Sequence, residues 1–188
     1  LNKALANTLA CASVYLRQIM QQYAHGKRDD LAYRLARRNA HNADAALSST
    51  LANMLMEPGH FRREADTGFR FLVLSHTLLG YLSALGAHRQ ALPEETRRQL
   101  IDGAAAQLAD SLEEIARSLD EKRPLAVRSE AEESLTRSLE QLPDEQEDDP
   151  LRVVQTQLAL ICRQLTPLRT LAAHLLKNDI GAEQTEAA

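Results

Sequence analysis

A run of polar side chains on one predicted helix is the part of this chain whose residue types could do chemistry. Its members lie almost back to back and are Arg34, Arg37, Arg38, Asn39, His41, Asn42 and Asp44. His41 and Asp44 are spaced i, i+3 and could bind one ligand together on a helix face. That spacing is common by chance, however, and the arginines suit contact with an anionic group equally well.

No other pattern in the sequence predicts catalysis or metal binding. There is no CxxC, HExxH or glycine-rich phosphate loop. The one Glu-x-x-His match, Glu57 to His60, contains Pro58-Gly59, which would interrupt the helix that a metal-binding pair needs. No serine lies in a recognisable nucleophile elbow. We therefore predict no enzyme activity, no catalytic residue, no metal and no cofactor.

Two interpretations of the polar cluster stay open. In the structural one, small residues such as Ala36, Ala40 and Ala43 let a neighbouring helix approach closely, and Asn39 and Asn42 form a hydrogen-bonded seam between helices. In the functional one, the cluster contacts a partner surface or an anionic group. We expect His76, further along the chain, to be a hydrogen-bonded core histidine rather than a ligand.

Composition predicts a helical protein. Of 188 residues, 44% are hydrophobic but only 4% are aromatic, and Trp is absent, so Leu and Ala must build the core. These residues lose little free energy on entering a helix. The two cysteines, Cys11 and Cys162, are too far apart to suggest a disulfide framework and fit a reducing compartment.

The charges are unevenly distributed along the chain. Residues 1–92 carry 11 Lys/Arg and 6 Asp/Glu, a net charge of +5, whereas residues 93–188 carry 11 and 20, a net charge of −9. The basic stretch has no aromatic platform and the protein is acidic overall, so we predict no nucleic-acid partner. A position close to a membrane would explain the basic half.

Apolar periodicity and helix-stop signals predict an all-α bundle of about six helices. The first predicted helix ends at Gly26, and the others cover about Asp29 to Met56, Phe69 to His88, Pro93 to Leu119, Arg128 to Leu142 and Leu151 to Leu175. Residues 1–142 would form the bundle and 143–150 an acidic linker. Residues 151–178 would form a C-terminal helix that packs on the bundle or a partner, with a kink or break at Pro167, and 179–188 a flexible tail.

The segment Phe71–Ala87 is apolar enough to be considered as a membrane span. It has only 17 residues, the lower end of the spanning range, and includes His76, three hydroxyl side chains and two glycines. We interpret it as the central helix of the bundle, buried on all sides.

Two stretches also resemble a known family. The sequence "YAHGKRDDLAYRLARRNAHNADAALSSTLANMLMEP" followed by "FRFLVLSHTLLGYLSALGAHR" is similar to the C-terminal cytoplasmic region of bacterial YccS/YhfK-type inner-membrane proteins. These belong to the fusaric-acid-resistance (FUSC), or aromatic-acid-exporter-like, superfamily. The similarity is strongest over about Gln22 to Arg89, and the family offers no catalytic residue to transfer.

The resemblance implies a cytosolic assembly or regulatory domain of a transporter-like efflux protein, on the cytoplasmic face of the bacterial inner membrane. Its partners would be the transmembrane portion of the same polypeptide and, through the seam Leu151 to Leu175, a second copy. The alternative is a small-molecule-sensing module in which His76, Asn39 and Asn42 line a pocket.

Overall fold

The computed structural model describes residues 1–27, 30–56, 62–88, 90–141 and 150–186, with side-chain surroundings for all of these except 62–64, 100 and 179–186. This part of the chain contains no strand and is all-α, as predicted. Its elements are α1 (Asn2–His25), α2 (Leu31–Met56), α3 (Arg62–Ala87), α4 (Glu94–Arg97), a π-helical segment (Arg98–Asp102), α5 (Gly103–Asp120), α6 (Glu130–Glu140) and α7 (Pro150–Glu186).

The segment from Glu94 to Asp120 is one continuous helical run. Arg98 and Gly103, at its internal boundaries, keep right-handed helical backbone angles. Arg97, just before the π-helical segment, and Asp102, its last residue, form an ion pair of 2.7 Å, a spacing of five residues that suits π geometry. Counted as continuous rods, the described helices therefore number six, which agrees with the sequence prediction.

Local signals explain where several helices begin and end. Gly26 follows α1 with a φ of +81°, a left-handed conformation that glycine adopts without steric cost. The Asp30 carboxylate accepts a hydrogen bond of 2.9 Å from the Ala32 amide at the start of α2. Pro93 directly precedes α4, whose first turn contains Glu94 and Glu95.

The predicted apolar seams form the core. Helix α1 packs against α2, α3 and α5, and α7 packs against α3, α5 and α6. Every member of the predicted α1 seam is buried: Leu5, Leu9, Ala12, Leu16, Ile19 and Tyr23. In α7 the seam from Val154 to Leu175 is buried, whereas Leu151 is half-buried. Because this seam is used within the chain, a second copy would have to contact other surfaces.

Helix α3 differs from the prediction in two ways. It begins at Arg62, seven residues before the expected Phe69, and its Ala65 is fully buried. It is also not buried on all sides, because one face, which includes Val73 and His76, is exposed. The stretch Ala65–Ala87 is long and apolar enough to cross a membrane by length and composition alone, and 39% of it is buried in the bundle.

Smaller differences concern boundaries. The predicted apolar seam of α5 included Ala104, but Ala104 is only partly buried. Its neighbour Ala105 is buried instead. Helix α7 continues through Pro167 without a break. Most of the predicted acidic linker and the Pro58-Gly59 stop lie outside the described residues. The flexible tail and the domain boundaries stay predictions.

Two glycines of α3 provide a matched test of this packing. A Cβ on Gly86 would lie 2.7 Å from the Tyr33 hydroxyl and 3.2 Å from the Tyr15 hydroxyl, whereas a Cβ on Gly80 would meet nothing within 4 Å. We expect Gly86→Ala to destabilise the protein by about 1–3 kcal/mol through overpacking. Gly80→Ala should stabilise it by roughly 0.5–1 kcal/mol through helix propensity. Urea unfolding followed by circular dichroism measures both, and equal effects would contradict the packing.

Candidate functional site

Helix α2 presents the polar cluster on the outside of the bundle. It buries one narrow stripe, composed of Tyr33, Ala36, Ala40, Ala43, Leu47 and Leu51. The predicted site residues Arg34, Arg37, Arg38, Asn39, His41 and Asn42 are all exposed. The cluster is therefore available for surface contacts, and its side chains do not enclose a reaction centre.

The prediction that Asn39 and Asn42 form a hydrogen-bonded seam between helices is wrong, because both side chains are exposed. The expected close approach is present and comes from the alanine stripe. Ala40 and Ala43 are each at least 95% buried, and the Thr8 hydroxyl of α1 lies 3.4 Å from the Ala43 carbonyl oxygen. Small side chains bring the two backbones together without amide bridges, so the asparagines are left on the outer surface.

Asp44 and His76 join α2 to α3. The Nδ1 of His76 lies 3.0 Å from Oδ2 of Asp44, and the His76 and Asp44 side chains are 76% and 13% exposed, respectively. The prediction that His76 forms a hydrogen bond is confirmed, but the prediction that it lies in the core is wrong. An exposed His76 and exposed asparagines do not form the enclosed ligand pocket of the sensing hypothesis.

A small cavity lies beside Asp44. Its volume is about 10 Å³ and its lining includes Thr8, Ser75 and Leu78. Within the described part of the chain, Oδ1 of Asp44 is buried without a hydrogen-bond partner. Such a volume is close to that of a single water-sized sphere, so the cavity is too small for an organic ligand. No group of three or more His, Cys, Asp or Glu in the described ranges is placed to hold a metal ion.

Arg37 is linked electrostatically to a buried tyrosine pair between α1 and α2. The rings of Tyr15 and Tyr33 have centroids 5.8 Å apart, at an interplanar angle of 56°. Burial, and then the hydrogen bond with Tyr33, raise the pKa of Tyr15, while the charge of Arg37 acts in the opposite direction. The polar cluster thus borders a hydrogen-bonded tyrosine pair in the core.

A largely buried ion-pair triad was not predicted from sequence. Arg169 of α7 is 2% exposed and contacts Glu132 of α6 at 2.6 Å and Glu114 of α5 at 2.6 Å. Its Nε lies 3.3 Å from the second oxygen of Glu132, so that pair is bidentate. Burial alone would lower the pKa of Arg169, but hydrogen bonds to Glu132 and then Glu114 outweigh it, and the pKa is raised.

The sequence did contain signals for this triad. Ser129 caps α6 by accepting a hydrogen bond from the Glu132 amide, the Ser-x-x-Glu spacing of a capping box. In a capping box the glutamate side chain usually bonds to the backbone amide of the cap residue. Here the Glu132 side chain is 2% exposed and pairs with Arg169 instead. Arg169 lies among buried residues of α7, next to Leu168 and four residues before Ala173. A lone charge on an apolar helix face requires a buried partner.

An open groove of about 500 Å³ runs between α1 and α5. Its charged lining includes Lys3 and Arg117 as well as Glu113 and Asp120. Because the opposite charges balance, the groove has no preference for an anionic or cationic ligand.

The fold and the cluster define an all-α bundle in which the arginines and asparagines of the α2 cluster face outward. The chain is 40% identical to the inner membrane protein YccS of Escherichia coli over 147 residues, which are 78% of the chain and 20% of that relative. It is 39% identical over 146 residues (76% and 20%) to an uncharacterized protein of Haemophilus influenzae. To the uncharacterized protein ORF2 of Neisseria gonorrhoeae it is 37% identical over 87 residues (46% and 21%).

This homology supports a YccS-type family, as the sequence resemblance predicted. The chain spans about one fifth of the length of the curated relatives that it matches. No protein-family model matches the chain. No solved structure matches it either.

The triad predicts a large difference between two arginines of α7. Arg169→Met should destabilise the protein by about 3–5 kcal/mol, because Glu132 is left buried without its partner. Arg163→Met is the control: Arg163 is 57% exposed in its pair with Glu140, so its loss should cost less than about 1 kcal/mol. The double variant Glu132→Leu/Arg169→Met should recover most of the loss. Urea unfolding provides the free energies, and similar values for the two single variants would refute a dominant triad.

Cys162 reports on the α6–α7 interface, and Cys11 of α1 is the reference. Cys162 is 1% exposed and lies 3.0 Å from the Thr136 hydroxyl, and burial raises the pKa of both cysteine thiols. Alkylation with iodoacetamide should modify the half-buried Cys11 first, and its rate should keep rising above the pH at which an ordinary thiol is ionised. Arg169→Met should speed modification of Cys162, and Arg163→Met should not. Mass spectrometry distinguishes the sites, and rapid labelling of native Cys162 would contradict a closed interface.

Proposed function

We propose that this chain is a cytosolic assembly or regulatory domain of a transporter-like inner-membrane protein of the FUSC superfamily, with no chemistry of its own. The observation that carries the proposal is the 40% identity to an inner membrane protein, which covers most of this chain but only 20% of the relative. The remaining four fifths of that relative leaves room for a membrane portion. The domain's partner is that portion of the same polypeptide, with a second copy as a further candidate.

The described residues support a binding role rather than catalysis. The arginine, asparagine and histidine side chains that could do chemistry lie on an exposed helix face. Several buried polar groups form contacts between helices, as Arg169 does with Glu132 and Ser13 with the Ala109 carbonyl. Such interactions set the relative position of helices and leave the outer surfaces for partners.

A second support is the uneven charge. The basic half, with a net charge of +5, contains α1, α2 and α3. Cytosolic segments next to membrane spans are enriched in Lys and Arg. The charge pattern therefore favours the cytoplasmic face of the inner membrane. The identity of a transported compound would depend on the whole protein rather than on this domain. Efflux is the function that the family resemblance implies.

Cysteine accessibility in the complete protein tests the cytosolic position. Ser49 is exposed on α2, so Ser49→Cys can be introduced with Cys11→Ser and with all cysteines outside residues 1–188 replaced by serine. We expect a membrane-impermeant maleimide to label the new thiol at position 49 only after the inner membrane of spheroplasts is permeabilised. Cys162, 1% exposed, is the internal control and should stay unlabelled until the protein is denatured. Labelling of intact spheroplasts would refute the cytosolic location.

A further inference from the structure

Two leucines are exposed on the first two turns of α2. Leu31 is 61% exposed and Leu35 is 41% exposed. One turn of an α-helix takes about 3.6 residues, so they lie on the same face, opposite the buried stripe that contains Ala36 and Ala40. This face is directed away from the core.

Basic residues occupy the same face and its borders. Arg34 and Arg38 share the face with Leu31, at the i+3 and i+7 positions, and both are exposed. Lys27, in the turn before α2, and Arg37, on the flank of the helix beside Arg34, are exposed as well. We call Lys27, Leu31, Arg34, Leu35, Arg37 and Arg38 the basic leucine face.

Two acidic residues lie on or beside the described part of α2: Asp30, whose carboxylate accepts a hydrogen bond from the Ala32 amide, and Asp44, which pairs with His76. Helix α2 packs chiefly against α1 and α3, while α5 packs on α1 and α7. The part of the chain from residue 93 onward, which includes α5 and α6, carries the net charge of −9. The net charge therefore differs between the two halves of the sequence, and the basic leucine face belongs to the basic half.

We propose that the basic leucine face docks on the surface of an anionic lipid bilayer. This inference rests on the proposed function, which places the domain beside the inner membrane. Four basic residues match the size of cluster that binds anionic leaflets, and each such residue near the surface raises partitioning about fivefold. Leucines between them can enter the interfacial region, as on amphipathic helices that lie in the membrane plane. Docking would hold α2 against the membrane and orient the bundle.

Nucleic acid fits this face less well. Recognition of single strands uses exposed aromatic side chains as stacking platforms, and the tyrosine within the first turns of α2, Tyr33, is buried. The leucines that accompany the arginines are aliphatic. Leucine contacts are favourable in a bilayer interface and contribute little on a phosphate backbone.

Vesicle co-sedimentation of the 188-residue chain tests the proposal. Vesicles of phosphatidylglycerol and phosphatidylcholine in equal amounts should bind the chain at about 0.05 M salt and release it at about 0.5 M, whereas pure phosphatidylcholine vesicles should bind little. Arg37→Gln/Arg38→Gln should lower the partition coefficient roughly 25-fold, and Arg37→Lys/Arg38→Lys should retain it. Leu31→Ser/Leu35→Ser should lower it severalfold at both salt concentrations.

The matched control is Arg98→Gln/Arg123→Gln, which removes the same charge from arginines that are 69% and 54% exposed in the acidic half. It should bind vesicles like the unmodified chain. Equal loss in this control, or equal binding to phosphatidylcholine alone, would overturn the proposal. So would competition by millimolar inorganic phosphate, which would indicate a site for soluble anions, or tighter binding to single-stranded DNA than to vesicles.

The outcome is separable from that of the proposed function. The Ser49→Cys variant could be labelled only from the cytosolic side while the chain does not bind anionic vesicles. In that case the membrane-docking proposal is wrong, and the proposed cytosolic location is retained. If the thiol at position 49 is labelled in intact spheroplasts, the proposed function fails whatever the vesicles show.

Discussion

The triad formed by the buried Arg169 and Glu132 with the exposed Glu114 is the interaction on which the relative positions of α5, α6 and α7 depend. A guanidinium that is 2% exposed cannot remain in the interior without carboxylate partners, and its fork accepts only a narrow range of positions for them. An interface made of apolar side chains alone would allow one helix to shift along its neighbour by one turn. The bidentate pair removes that freedom, and Arg169 also directs a guanidinium nitrogen to the Ala126 carbonyl oxygen, 3.5 Å away, in the segment before α6.

A second constraint determines how α1, α2 and α3 pack against one another. Alanines on α2 let α1 and α2 approach closely, and the missing side chain of Gly86 leaves room for the Tyr15 and Tyr33 hydroxyls. Because α2 needs only a narrow stripe for this contact, most of its circumference stays exposed. The same packing that makes α2 a tight partner of α1 thus leaves its arginines and leucines available for a surface role.

Much of the fold could be predicted from sequence, because apolar periodicity and helix-stop residues act over short distances. The α1 seam and the end of α1 at Gly26 are as expected, and α2 is helical up to Met56, the last residue described before the gap. The start of α3 at Arg62 was missed, since the charged stretch before Phe69 resembled a loop by composition. The candidate site was predicted by residue type but not by environment: His76 and both asparagines proved to be exposed.

The sequence by itself determined the all-α class, the apolar seams, the charge polarity and the resemblance to YccS-type proteins. These properties follow from the order of side chains along each helix, which a 3.6-residue repeat converts directly into faces. Only the tertiary structure decided which face of α2 and α3 is covered and which carboxylates meet Arg169. Those outcomes depend on how distant segments are arranged in space, and a buried charge can find a partner 37 or 55 residues away that no local pattern identifies.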